Sequence, residues 1–240
     1  MDPRLEDVRR RADDDPGTVG LLLIGSRASG SVLADSDYDF MWVLTDEGMA
    51  ARAARGELRQ VKEGDLDLSY IGIGRVRERI RDLDWATRSL VSSRIVLDKT
   101  GELTVALEQM RDAANGRARA EVRSAYDAYL NSYTRSLKSW RRQNELGGRM
   151  HAVESVVALV RTLCGVAGRW PPYHDEVERS MPEIETELDL DVLEDMRTIV
   201  GTGDPAVQQR LETRVESFMT ARGILHEWED ALDDARAWRF

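Results

Sequence analysis

Gly25-Ser26-Arg27-Ala28-Ser29-Gly30-Ser31-Val32-Leu33-Ala34-Asp35-Ser36-Asp37-Tyr38-Asp39-Phe40 is the stretch that decides how this chain is read. It follows Val19-Gly20-Leu21-Leu22-Leu23-Ile24, a continuous apolar run of strand length. A buried strand that ends in Gly25-Ser26 and turns toward a short helix presents backbone N–H groups and a hydroxyl, with no side chain to keep a phosphate away. Asp37 and Asp39 stand two apart at the start of the next strand, so alternation points both carboxylates to one face. Carboxylates held that close raise each other's pKa unless a cation neutralises them, and this is the reason the pattern suggests for the pair. A hard, oxygen-seeking ion such as Mg²⁺ suits the role, joining one or two carboxylates to substrate phosphates.

A third carboxylate on a neighbouring strand would complete such a site. Gly64-Asp65-Leu66-Asp67-Leu68-Ser69-Tyr70-Ile71 offers two, and strand alternation puts Asp65 and Asp67 on one face, so periodicity does not choose between them. Asp67 is preferred because Leu66 and Leu68 flank it within the strand, whereas Asp65 follows Gly64 at the entrance.

Outward from this region, residues 3–14 read as a charged leading helix closed by Pro16-Gly17. Residues 37–45 read as a strand with Tyr38, Phe40, Trp42 and Leu44 on one face and Asp39, Met41 and Val43 on the other. Residues 47–60 favour helix, 66–73 and 93–97 strand, and 76–90 helix. Beyond Gly101 the strand-like runs cease and long helical patterns take over, which divides the chain into a mixed α/β domain at 1–101 and an all-helical domain at 102–240. In the second, Asn115-Gly116 is expected to interrupt a first helix, and 119–146 to run as one long helix ended by Gly147-Gly148. Further helices are expected at 149–166, 192–200, 205–222 and 225–237, and the prolines of Gly168-Arg169-Trp170-Pro171-Pro172-Tyr173 make that stretch a loop.

The 240 residues are 42% hydrophobic and 32% charged, the balance of an ordinary globular protein. No apolar run approaches the roughly 20 residues of a membrane span, and the N-terminus lacks the order of a signal peptide, so the expected location is the cytoplasm. One cysteine, Cys164, and three histidines, His151, His174 and His226, at no ligand spacing leave no thiolate cage and no zinc set. The net charge of −10 speaks against bulk nucleic-acid binding and suits a neutral or cationic small substrate.

These motifs resemble those of the DNA polymerase β-type nucleotidyltransferase superfamily, which includes aminoglycoside and lincosamide nucleotidyltransferases and the minimal nucleotidyltransferases of toxin–antitoxin pairs. The shared pattern is Gly-Ser, a short interval, Asp-x-Asp, then an apolar-flanked acid, and it covers roughly residues 20–72. The resemblance implies a polymerase β-like mixed sheet with flanking helices, followed by a helical bundle that binds the acceptor and closes the cleft. It assigns Gly25 and Ser26 to the phosphate-gripping turn, Asp37 and Asp39 to the metal pair, and Asp67 to the third acid, a metal ligand or base; two Mg²⁺ ions would suit an in-line displacement. It implies transfer of a nucleoside monophosphate, AMP from ATP foremost, to a hydroxyl of a small acceptor such as an aminoglycoside-like antibiotic. The alternatives it carries are an antitoxin-like transferase acting on a partner toxin protein and a tRNA-directed transferase. A fused ribonuclease toxin is set aside, because Pro171 and Pro172 break any helix joining Arg169 to His174. The helical half aligns position by position with no one resistance enzyme, so acceptor identity does not carry over.

Other candidates are weighed against plainer roles. Arg135, Lys138 and Arg142 recur at helical spacing and could grip a triphosphate, or form a solvated basic face. Glu154, among apolar positions of its helix, could act as a general base. Arg27 could touch phosphate or make a structural salt bridge; Ser36 could line the nucleotide, and it and Ser29 could cap and shape the turn. Cys164 is expected in the core, and Trp140, Trp170 and Trp228 between helices.

Overall fold

Short-range alternation and helical periodicity both survive into the computed structural model, which describes residues 2–30, 36–84 and 86–240. Residues 31–35 of the motif stretch, and Trp85 in a segment read as helical, lie outside the described residues. The elements of the first half are α1 (Pro3–Asp14), β1 (Thr18–Ile24), α2 (Gly25–Ser29), β2 (Tyr38–Leu44), α3 (Asp46–Ala54), β3 (Gln60–Glu63), β4 (Leu66–Gly72), α4 (Ile73–Arg81), α5 (Thr87–Val91) and β5 (Arg94–Asp98). The second half is helical: α6 (Glu102–Ala120), α7 (Val122–Arg141), α8 (Glu145–Val166), a short 3-10 turn at His174–Glu176, α9 (Val177–Leu188), α10 (Leu193–Thr202), α11 (Pro205–Ala221) and α12 (Glu229–Ala237). The fold class is α+β, a mixed sheet with flanking helices followed by an all-helical region.

The strands form one five-stranded sheet in the order β3-β4-β2-β1-β5. Among the described residues only the β2–β4 pair is parallel; β1 pairs antiparallel with β2 and with β5, and β3 with β4. The alternation of β2 has the expected consequence. Tyr38, Phe40, Trp42 and Leu44 pack with Val8 and Ala12 of α1 on one side, while Val43 packs with Val76 of α4 and Leu103, Leu107 and Met110 of α6 on the other. β1, buried along nearly its whole length, supplies both sides, with Leu21 and Leu23 on the first and Leu22 on the second. Each such fully buried leucine contributes about 1.5–3 kcal/mol relative to exposure.

The chain divides into two compact units, Met1–Ala114 and Asn115–Phe240. The division falls later than the change of character at Gly101 because the first turns of α6 put Leu103, Ala106, Leu107 and Met110 into the core of the first unit. Asp98 closes the β5–α6 turn, its carboxylate accepting from Gly101 N at 2.9 Å, Thr104 N at 2.8 Å and Thr104 Oγ1 at 2.6 Å.

Several elements differ from the sequence reading. The helix expected over 47–60 stops at Ala54, and Gln60–Glu63 is an edge strand; being almost wholly exposed, it carries no apolar period to announce it. The helix over 76–90 is the two short helices α4 and α5. Asn115-Gly116 does not interrupt α6, and the expected helix over 119–146 is instead parts of α6, α7 and α8, with turns near Glu121 and residues 142–144. Gly147 and Gly148 do not end a helix; they lie in the first turns of α8. The reason is steric: a Cβ on Gly148 would stand 2.7 Å from the indole Nε1 of Trp140 in α7, and Gly148 O accepts from Ser136 Oγ at 2.7 Å. The sequence reading names no helix where α9 lies; Pro182 is inside it, and Met181, Ile184 and Leu188 bury its apolar face despite the missing N–H.

The core of the second unit gathers apolar side chains from α7 through α12, Cys164 among them. Within it Glu212 is fully buried and accepts from Arg236 Nε at 3.0 Å and Nη2 at 2.7 Å. Among the described residues no helix is long and apolar enough to cross a membrane.

Candidate active site

Register assembles the acidic residues. Across the parallel β2–β4 pair Asp39 stands opposite Asp67, and side chains so paired project from the same face of strands roughly 5 Å apart. Asp37, just before β2, shares the face of Asp39 by alternation. Asp65 is engaged elsewhere: its carboxylate lies 3.1 Å from Arg4 Nη1 of α1, and its carbonyl accepts from Tyr38 N at 2.8 Å. Of the two acids that periodicity left equal, Asp67 is therefore the one beside Asp39.

The glycine turn reaches the same point through a second register. β1 and β2 pair Ile24 with Asp39, so the residue after Ile24 backs onto that carboxylate. Gly25 has φ +66°, in the left-handed region, and a Cβ there would run into Asp39 Oδ2. Glycine thus meets two demands at once, the turn and the close approach of backbone to acid. Ser26 follows, half-buried in α2, with its carbonyl accepting from Gly30 N and from Ser29 Oγ at 3.2 Å.

Charge is concentrated here. The Asp39 carboxyl is raised above its ordinary value, by burial first and then by the neighbouring charges of Asp67 and Asp37, with Lys62 and Arg27 opposing. Two polar side chains of the edge strand β3, which the sequence reading passed over, face this acid cluster. Lys62 Nζ lies 2.7 Å from Asp37 Oδ2, and Gln60 Nε2 donates to both carboxylate oxygens of Asp67 at 3.0 Å. Their signal was absent from the sequence because nothing in residues 60–63 reveals a strand, still less its pairing with β4.

Among the described residues Arg27 serves the backbone at the entrance to β2. Its guanidinium donates to the carbonyls of Ser36, at 2.7 Å from Nη2, and of Asp37, at 3.1 Å from Nε, and lies 3.8 Å over the Tyr38 ring. It pins the chain as it enters β2, and so positions Asp37 and Asp39. Ser36 is half-buried and enters the site through that carbonyl.

The remaining candidates belong to the second unit. Arg135, Lys138 and Arg142 are exposed on and just past α7, Arg135 donating from Nε to Asn131 Oδ1 at 3.0 Å. Glu154 is exposed rather than enclosed by the apolar residues around it in sequence, and its Oε2 lies 2.8 Å from His151 Nδ1. His226, by contrast, is nearly buried and pairs with Glu216 at 3.1 Å.

Three carboxylates around one strand pair form a hard-oxygen donor set with an excess of negative charge, which is chemistry that fits a divalent cation. Their side-chain directions answer to other partners: among the described residues no three His, Cys, Asp or Glu side chains are gathered closely enough to hold a metal ion. Lys62 and Gln60 hold Asp37 and Asp67 instead.

No protein-family model matches the chain, and no curated protein matches it. Among solved structures it is similar to a nucleotidyltransferase-like protein from Exiguobacterium sibiricum 255-15, at 13% identity and a TM-score of 0.42, over 88% of this chain and 74% of that one. A likeness of that degree says nothing of substrate, metal or acceptor.

Proposed function

We propose that this chain is a divalent-metal-dependent nucleotidyltransferase that moves a nucleoside monophosphate, AMP from ATP in the first instance, to a hydroxyl of a small acceptor. The observation that carries the reading is the convergence on Asp39, which has Asp67 opposite it across the parallel pair and the Cβ-less Gly25 against its carboxylate. Two registers and a left-handed glycine bring an acidic strand pair against a backbone turn that carries no Cβ, and this supports the reading.

Asp37, Asp39 and Asp67 would hold Mg²⁺ once Lys62 and Gln60 release Asp37 and Asp67 and the three carboxylates close on the ion; when bound it would supply neutralisation of the phosphate oxygens and alignment of the in-line displacement. The acceptor oxygen forms a bond to the α-phosphorus, the bond from that phosphorus to the bridging oxygen breaks, and pyrophosphate leaves with the electron pair. Gly25 and Ser26 offer backbone N–H groups and a hydroxyl to the β- and γ-phosphates. Asp67 takes the proton of the acceptor hydroxyl in this reading; Glu154, exposed beside His151, has less to recommend it. Arg27 acts through position, holding the Ser36 and Asp37 carbonyls so that the two acids of β2 keep their direction. The acceptor class, aminoglycoside-like, rests on the sequence resemblance and on the net charge of −10, which suits a cationic substrate.

Isothermal titration with each nucleoside triphosphate, as the analogue whose α,β-linkage resists hydrolysis, tests the donor half of this reading. The expected result is Mg²⁺-dependent binding of one nucleotide, ATP, that is lost in Asp37→Ala and Asp39→Ala. A well-folded protein that binds no nucleotide in Mg²⁺ would overturn it. Acceptor screening then begins with aminoglycosides.

A further inference from the structure

Lys62 is the one lysine that stands against the acidic cluster among the described residues, and its placement is specific. It lies on the edge strand β3 with Asp67 as its register partner on β4. Its ammonium nevertheless reaches past that neighbour to Asp37, with Nζ 2.7 Å from Oδ2. Gln60, from the same four-residue strand, takes the carboxylate of Asp67. The edge strand thus occupies both acids that flank Asp39, one with a charge and one with an amide.

We propose, resting on the metal-dependent reading above, that Lys62 is a built-in counter-ion that competes with the divalent cation for Asp37, and that it passes to the phosphates of the donor nucleotide when the cation takes its place. The competition follows from charge and space. A metal ion on Asp37 Oδ2 would stand where the Lys62 ammonium now lies, and two cations that close repel. The ion pair is also easy to undo, since the Lys62 side chain is 61% exposed and that of Asp37 40% exposed, and pairs of this kind are worth little in water. Once displaced, the ammonium keeps three donors on a flexible stem at the mouth of the same acid cluster. The triphosphate is the one partner in the proposed reaction that brings compensating negative charge to that point. Metal and nucleotide would therefore bind cooperatively, each making room or charge for the other.

Binding of Mn²⁺ to the full-length protein, followed by the electron paramagnetic resonance signal of the free ion, tests this without recourse to turnover. Wild type, Lys62→Met and Lys62→Arg are compared with and without the α,β-non-hydrolysable ATP analogue. Without nucleotide, Lys62→Met should bind Mn²⁺ about two- to fivefold more tightly than wild type, the range an exposed ion pair can account for, and Lys62→Arg should stay near wild type. With Mn²⁺ saturating, Lys62→Met should bind the analogue more weakly than wild type. Equal Mn²⁺ affinity in wild type and Lys62→Met overturns the counter-ion role while leaving the metal-dependent reading in place. Absence of Mn²⁺ binding by both proteins overturns the two together.

Discussion

Asp39 carries an unresolved electrostatic conflict. Burial and two acidic neighbours raise its carboxyl above its ordinary value, so in the absence of a cation folding disfavours the ionised form relative to the unfolded chain. For an acid whose folded pKa is raised, stability is fully present below the unfolded value and is lost as pH rises through the folded one. Replacing Asp39 with Asn removes that loss. In EDTA at neutral pH, Asp39→Asn should therefore melt at a higher temperature than wild type by scanning fluorimetry, and the gain should shrink as pH falls below the ordinary aspartate value of 3.8. Under the proposed function the same substitution should reduce nucleotidyl transfer by roughly two orders of magnitude or more, because it removes a ligand of the cation that would neutralise the reacting phosphate. A variant that melts lower at neutral pH would show that the acids are not in conflict. Stability given up for function at a single residue is a common exchange.

At the scale of elements, the α7–α8 pair shows how one residue type serves opposite ends. Gly147-Gly148 looks like a helix stop, yet the pair sits in the first turns of α8, where the absence of a Cβ lets α8 approach the Trp140 indole and lets Ser136 reach Gly148 O. Gly201, in the last turn of α10, has open space where its Cβ would be. The two therefore predict opposite signs. Gly148→Leu should destabilise by about 1–3 kcal/mol through overpacking, whereas Gly201→Ala should stabilise by a few tenths to about 1 kcal/mol through helix propensity. Chemical denaturation of both variants checks this, and a neutral Gly148→Leu would refute the close approach. The edge strand β3 illustrates the converse difficulty. Gln60-Val61-Lys62-Glu63 has the composition of a solvated helix end, and only its hydrogen bonding to β4 makes it a strand. Its two polar side chains at the acidic cluster were for that reason invisible beforehand.

At the scale of the whole chain, the buried apolar residues described fall into three clusters. The two clusters on either side of the sheet draw on residues up to Met110, and the large helical cluster starts at Val122. The segment Asn115–Phe240, which forms a compact unit, should accordingly fold when expressed alone, with a helical circular dichroism spectrum and a cooperative thermal transition. A fragment that is helical but melts without cooperativity would show that its core depends on the rest of the chain. The buried Glu212–Arg236 pair lies wholly within this segment and would remain satisfied in it.

What the chain alone determined are the features that depend on neighbours within a few residues. The α+β class, the strand of residues 19–24, the faces of β2, the glycine turn and the Asp37–Asp39 pair all follow from alternation and from the special conformational freedom of glycine, which act locally. Tertiary structure decided what depends on residues far apart in sequence. The parallel register of β2 and β4 placed Asp67, not Asp65, beside Asp39, although their alternation is identical; pairing across the sheet edge brought Lys62 and Gln60 to the acids; and the return of the chain into β2 brought the Ser36 and Asp37 carbonyls to Arg27. Likewise the burial of Met181, Ile184 and Leu188 carried α9 past Pro182. In each case the local pattern was degenerate, and the choice was made by a partner that the local pattern does not contain.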